Sequence, residues 1–194
     1  KYKKGIPAGV PFLKGMPMKE LRKYGHIRRT DDLGRIIIPK EIRQFLNIRE
    51  NEPLEISVME RGIYIEKYQP LQTLESLCEQ YLTVLFKSCN IACAVCSNEQ
   101  IIRSKGISLS TGQLLSAPLR KGIQNLETYH YSEESPLRVF DDSKYLLDSV
   151  YPVGSKEQPL GAVILLHYRS TTPEERCCAK LIADILTELT INQS

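Results

Sequence analysis

Tryptophan is absent from the 194 residues, and the three histidines, His26, His130 and His167, are scattered along the chain. No indole is therefore available for an aromatic ligand clamp. The histidines stand near no Ser-His-Asp arrangement and no glycine-rich phosphate loop, so no catalytic residue and no cofactor is implied. No apolar run approaches the roughly 20 residues that cross a bilayer, which excludes a membrane-spanning helix as an expectation. Lys1 to Leu13 carries basic residues but is interrupted by Pro7 and Pro11, so it lacks the continuous apolar stretch of a secretory signal. Six cysteines without such a signal, with Cys177 and Cys178 adjacent, fit reduced thiols in a cytoplasm better than a disulfide framework.

What is present suits one or two ordinary folded domains: 42% of residues are hydrophobic and 25% charged. The formal charge of +3 conceals an asymmetry. Residues 1 to 70 hold 15 basic and 9 acidic side chains, whereas residues 71 to 194 hold 11 and 14. A nucleic-acid surface needs local density of positive charge rather than a high total, and only the N-terminal part has it.

Short β-branched segments come first, at Gly25 to Thr30, Arg35 to Ile38, Leu54 to Met59 and Ile63 to Glu66. Asp31-Asp32-Leu33-Gly34 suits a tight reversal between the first two, and Arg61-Gly62 one between the last two, so two hairpins are expected. Pro39 to Leu46, with Ile42, Phe45 and Leu46 at helical spacing, reads as a helix of about two turns. So small a core usually needs a second chain to cover its apolar faces.

From Leu71 the residues Leu71, Leu74, Cys78, Tyr81 and Leu85 step by three and four, predicting a helix to about Ser88. Its apolar seam is read as a dimeric coiled coil or as packing onto its own domain. Strands are expected near Ile91 to Cys96, Gln100 to Ser104, Tyr145 to Val153 and Leu160 to Tyr168, and a helix near Ser110 to Ala117. The last two strands read as a central hairpin across Gly154 to Pro159. A final helix should begin at Thr171 or Thr172, where Thr-Pro-Glu-Glu supplies a capping hydroxyl, a proline and two carboxylates.

The run Gly25-His26-Ile27-Arg28-Arg29-Thr30-Asp31-Asp32-Leu33-Gly34-Arg35-Ile36-Ile37-Ile38-Pro39-Lys40-Glu41-Ile42-Arg43, continued by Leu46 to Ile56, resembles the signature of AbrB-type transition-state regulators over residues 24 to 68. The order that follows resembles that of sporulation regulators of this family, on the strand pair near Ile91 to Ser104, on Tyr151-Pro152-Val153 and on Pro159 to Ile164. The resemblance implies an α+β protein: a dimeric swapped-hairpin β-barrel that binds DNA, joined by a helix to a C-terminal GAF-like domain. The expected divisions are a flexible or artificial extension at 1–18, with Met16 or Met18 a candidate native start, the DNA-binding domain at 19–69, the connecting helix at 70–88 and the GAF-like domain at 89–194.

By that resemblance Arg28, Arg35 and Arg43 match DNA-contacting positions, and Arg29 and Lys40 are candidate phosphate contacts. Arginine suits the task because its planar fork pairs bidentately with phosphates and guanine edges. Gln44 stands where some relatives carry a further arginine. Leu71, Leu74, Tyr81 and Leu85 would form the oligomerisation seam. The implied partners are double-stranded DNA, a second copy through the barrel, a homotetramer through the C-terminal domains and a small-molecule ligand of the GAF-like domain. The implied location is the cytoplasm, on the nucleoid.

Two other readings compete with this one. Cys89, Cys93 and Cys96 spell C-x3-C-x2-C, a spacing able to hold three irons of a four-iron cluster. Strand alternation would send Cys93 and Cys96 to opposite faces, so no metal site is expected. The functional alternative is a swapped-hairpin antitoxin that neutralises a toxin and represses its own operon. Such proteins use a disordered C-terminal tail, whereas residues 71 to 194 show strong hydrophobic periodicity.

Overall fold

The computed structural model describes residues 27–46, 48, 50, 52–59 and 62–191. The expected extension at 1–18, His26, the start of the first expected strand and Arg61 of the second turn lie outside the described residues. The chain divides between Tyr68 and Gln69 into two compact units.

The first unit contains α1 (Lys40–Phe45), β1 (Leu54–Met59) and β2 (Gly62–Lys67). Pro39 occupies the N-cap of α1, where its missing N–H costs nothing and its carbonyl accepts from Arg43 N at 3.0 Å. The strands β1 and β2 pair antiparallel from Leu54↔Lys67 to Met59↔Gly62. Because side chains alternate along a strand, Leu54, Ile56, Val58, Ile63 and Ile65 share one face, opposite Glu55, Ser57, Tyr64 and Glu66. That apolar face is bare: Val58 is 83% exposed and Ile56 67%.

The reversal at Asp31 to Gly34 forms as expected, but the two strands flanking it do not. Residues 27–31 and 34–39 carry no regular structure, and their turn is closed by Asp31 N to Arg35 O at 3.2 Å and Gly34 N to Asp31 O at 3.0 Å. Among the described residues the first unit therefore has one hairpin rather than two. A strand exists only where a neighbour completes its hydrogen-bond ladder, and among the described residues these segments have none, leaving Ile27 and Ile37 open to solvent.

In the second unit α2 (Pro70–Thr73) and α3 (Glu75–Cys89) precede β3 (Cys93–Ser97), β4 (Ile101–Lys105), α4 (Ala117–Gln124), β5 (Tyr129–His130), β6 (Leu147–Gly154), β7 (Pro159–Leu166) and α5 (Pro173–Ile191). The sheet order is β4-β3-β7-β6-β5, antiparallel throughout, and β6 and β7 form the expected central hairpin. Alternation divides the core in two. Cys93, Val95, Tyr151, Val153, Val163 and Leu165 pack beneath α3 and α5. On the other face Ala94, Cys96, Val150, Ala162 and Ile164 pack beneath Leu119 and Ile123 of α4 and Leu115, Val139 and Phe140 of the adjoining loops.

Three expectations are corrected here. The connecting helix is broken at Leu74 into α2 and α3. Its seam is not an exposed oligomerisation stripe: Leu71 and Leu85 are buried in the core of their own unit, with Leu74 and Tyr81 packed against it. The sheet offers a large apolar face within the same chain, so intramolecular burial wins over pairing with a second helix. The helix expected near Ser110 to Ala117 begins instead after Ser116, whose hydroxyl accepts from Leu119 N, with Pro118 in the first turn.

The start of α5 matches expectation closely. Thr172 Oγ1 accepts from Glu175 N at 3.3 Å, and Glu175 Oε2 accepts from Thr172 N at 2.9 Å, a reciprocal capping box that satisfies two end donors. At the C-terminal end of α3, Asn90 takes the left-handed conformation (φ 48°) that terminates the helix.

Candidate nucleic-acid interface

The turn at Asp31 is built by one carboxylate. Asp31 Oδ1 accepts from Leu33 N at 3.0 Å and from Arg35 N at 2.8 Å, and Gly34 takes the positive φ (76°) that lets the chain reverse. The other oxygen, Oδ2, accepts from Arg35 Nε at 2.7 Å. These bonds from Arg35, backbone first and then side chain, hold the Asp31 carboxyl below its ordinary value. Arg35 is thereby oriented by its own turn while its side chain stays 70% exposed.

Arg28 and Arg29 precede this turn, both exposed, with Arg28 Nη1 donating to Ile27 O at 3.0 Å. Lys40 and Arg43 follow it on α1, three residues apart and so on neighbouring positions of one helical face. All five cations expected to meet DNA are exposed, along a single turn and the helix after it. Gln44 is exposed too and adds no charge. Two acidic residues of the unit stand apart from this stretch: Glu55 and Glu66 face each other across β1 and β2, and burial followed by the Glu55 charge raises the Glu66 carboxyl.

Among the described residues, Cys93, Cys96, His130, His167 and Asp141 are not drawn together into one reactive arrangement. Cys93 and Cys96 lie in opposite cores, as alternation required, and burial pushes each thiol up to about 12. His130 meets Tyr151 edge-on at 5.9 Å. His167 stacks on Tyr131 with ring centroids 3.7 Å apart. Asp141 is a loop residue whose Oδ1 accepts from Ala117 N at 3.2 Å.

Two carboxylates have roles that sequence reasoning missed. One is Asp31, read only as a turn former, whose spacing of four to Arg35 signals the ion pair. The other is Asp148, 1% exposed on β6, which accepts from Ser149 Oγ at 2.5 Å and Thr171 Oγ1 at 2.6 Å. Arg176 Nε lies 3.5 Å away. A lone Asp inside the run Leu146-Leu147-Asp148-Ser149-Val150 is the only hint the sequence offers.

The family model described as "Antidote-toxin recognition MazE, bacterial antitoxin" matches residues 27–73, the stretch that holds the turn, α1 and the β1–β2 hairpin. The chain belongs to the AbrB-type family. It is 30% identical over 159 residues to Stage V sporulation protein T of Bacillus subtilis (strain 168), an alignment covering 79% of this chain and 89% of that protein. It is also 40% identical over 55 residues to the Transition state regulatory protein AbrB of the same organism, covering 28% of this chain and 57% of that protein.

Proposed function

We propose that this chain is a DNA-binding transcriptional regulator rather than an enzyme, acting in the cytoplasm on the nucleoid. The observation that carries the reading is the exposed set Arg28, Arg29, Arg35, Lys40 and Arg43 on the turn and helix of the first unit. Neutralising several phosphates with such a set releases condensed counterions, which supplies affinity without a recognition helix deep in the groove. Arginines held this way read backbone position and DNA shape together.

DNA binding by this unit requires a second copy. A two-stranded sheet with a bare apolar face is marginal alone, and Ile27, Ile36 and Ile37 add further uncovered surface. We assign to residues 19–69 a swapped-hairpin barrel in which the partner's segments complete the ladders of residues 27–30 and 35–38. The second unit, α2 and α3 included, is a GAF-like regulatory domain that pairs such dimers into a tetramer and takes a small-molecule ligand. Support for pairing lies in Val84 on α3 and Leu181 on α5, which are 62% and 58% exposed. The antitoxin alternative is disfavoured because the second unit holds two packed cores instead of a tail free to wrap a toxin.

The test is a salt titration of duplex binding by the whole chain. A steep negative dependence of log affinity on log salt is expected, and Arg35→Ala and Arg43→Ala should each flatten it by roughly one unit at unchanged sedimentation. A slope near zero rules out the phosphate mechanism.

A further inference from the structure

The six cysteines divide by environment. Cys78, Cys93 and Cys96 are fully buried, and desolvation raises their thiols to about 11, 12 and 12, so they stay protonated and out of reach. Cys177 and Cys178 are exposed on α5, and Cys89, the last residue of α3, is half-buried. Consecutive helical residues point about 100° apart, so Cys177 and Cys178 cannot both face the same neighbour. The one that turns to α3 is Cys178, which lies one helical turn beyond Glu175, the residue that Arg169 ties to Cys89 O, and after burial it is the Cys178 thiol that raises the Cys89 thiol.

The surrounding geometry holds these two thiols together. Both helices cover the same sheet face, and Cys89 itself packs against that core. Arg169 then clamps the end of α3 to the start of α5. Its Nη2 donates to Cys89 O at 3.0 Å and to Glu175 Oε1 at 2.6 Å, while Nη1 donates to Glu175 Oε2 at 2.9 Å. Glu175 in turn closes the capping box of α5. The pair thus joins one surface thiol to one sheltered neighbour, with the backbone around both ordered by the same arginine.

We propose that Cys89 and Cys178 form a thiol–disulfide site that is oxidised by hydrogen peroxide or a related hydroperoxide and locks the end of α3 to α5. Cys178, the exposed member, meets the oxidant first. Its thiolate attacks a peroxide oxygen, the O–O bond breaks, and water leaves once the departing hydroxide takes up a proton, giving the sulfenic acid. The Cys89 sulfur then attacks the Cys178 sulfur as its thiol proton is lost. The S–O bond breaks, a second water leaves, and the disulfide remains. Two thiols lose two electrons and two protons, and one peroxide becomes two waters. Cys177 takes no part because it projects away from Cys89.

The experiment is peroxide treatment of the whole reduced chain, followed by alkylation in denaturant, peptide mapping and a non-reducing gel. Loss of two alkylatable thiols within one chain, a linked peptide pair carrying Cys89 and Cys178, and full reversal by dithiothreitol are expected. Cys178→Ser and Cys89→Ala should each abolish the linkage, and Cys177→Ser should leave it intact. The exposed position of Cys178 keeps its variant folded, so a loss there is chemical rather than structural. Linkage through Cys177, bridges only between chains, or over-oxidation of Cys178 without any bridge overturns the proposal.

Discussion

Arg35 Nε donates to Asp31 Oδ2 at 2.7 Å while the backbone N–H of the same arginine donates to Asp31 Oδ1 at 2.8 Å. One carboxylate therefore shapes the reversal and aims the cation that the reversal presents. The exposed ion pair itself contributes little, since solvent screens it. Its value lies in orientation.

Asp31 should consequently separate turn formation from charge. Asp31→Asn keeps one oxygen for the backbone donors and removes a negative charge near phosphates but loses the acceptor that aims Arg35, so affinity for duplex DNA should change by no more than a few-fold. Asp31→Ala removes the turn acceptor as well and should lower affinity despite the same charge change. Anisotropy titrations at fixed salt compare the two. The folded carboxyl is held below its ordinary value, so its contribution is complete above the unfolded value of 3.8 and lost only as pH falls through the lowered one. Binding measured from about pH 5 to 8 should show no titration from this group.

Glycine substitutions should differ sharply between the units. Gly34 sits at φ +76° with nothing within 4 Å of where an added methyl carbon would lie, so Gly34→Ala meets only backbone strain, about 1 kcal/mol. At Gly161 the added methyl would overlap the Cys96 carbonyl and meet Leu71 Cδ1 at 2.8 Å. Gly161→Ala should destabilise the second unit by about 3 kcal/mol, since strand and helix must both shift. Urea unfolding of the whole chain reads both.

The burial of the α3 seam has a direct consequence. Leu85, a seam residue buried against the sheet, should cost about 3 kcal/mol when truncated by Leu85→Ala, through lost transfer energy and a cavity. An intersubunit seam would instead show its loss as dissociation on dilution. Sedimentation alongside chemical unfolding distinguishes these outcomes, and an unchanged unfolding midpoint with a smaller assembly would refute the intramolecular packing.

Asp148 ties β6 to the segment entering α5. Burial opposes its ionisation, but the hydroxyls of Ser149 and Thr171 and then the Arg176 charge outweigh that and hold its carboxyl below the ordinary value. Its stabilising contribution is therefore complete above the unfolded value of 3.8 and is lost as pH falls through the lower folded one. Asp148→Asn should destabilise by about 2 kcal/mol at neutral pH, the worth of charged hydrogen bonds. The same variant should flatten the acid limb of the stability profile, which thermal melts from about pH 2 to 7 would trace.

Local chemistry by itself determined the features that close within a few residues. The Asp31 to Gly34 reversal, the β6–β7 hairpin and the Thr172–Glu175 cap all follow from neighbours in sequence, because their bonds span at most a short loop. The opposed directions of Cys93 and Cys96 follow equally from the two-residue repeat of a strand. The five candidate DNA-facing cations were named from the family resemblance, and the structure adds that all five are exposed.

Tertiary structure alone decided where apolar seams go and which strands exist. Periodicity shows that Leu71, Leu74, Cys78, Tyr81 and Leu85 form a helical apolar seam but carries no information about what covers it. The sheet face beneath α3 and α5 decided that. Residues 27–30 and 35–38 have strand composition, yet composition cannot supply the neighbour that a ladder requires, and within one chain that neighbour is missing among the described residues. The approach of Cys89 to the start of α5 is likewise set by tertiary packing, through Arg169 bonded to both Cys89 O and Glu175, since their separation in sequence leaves no local signal of contact.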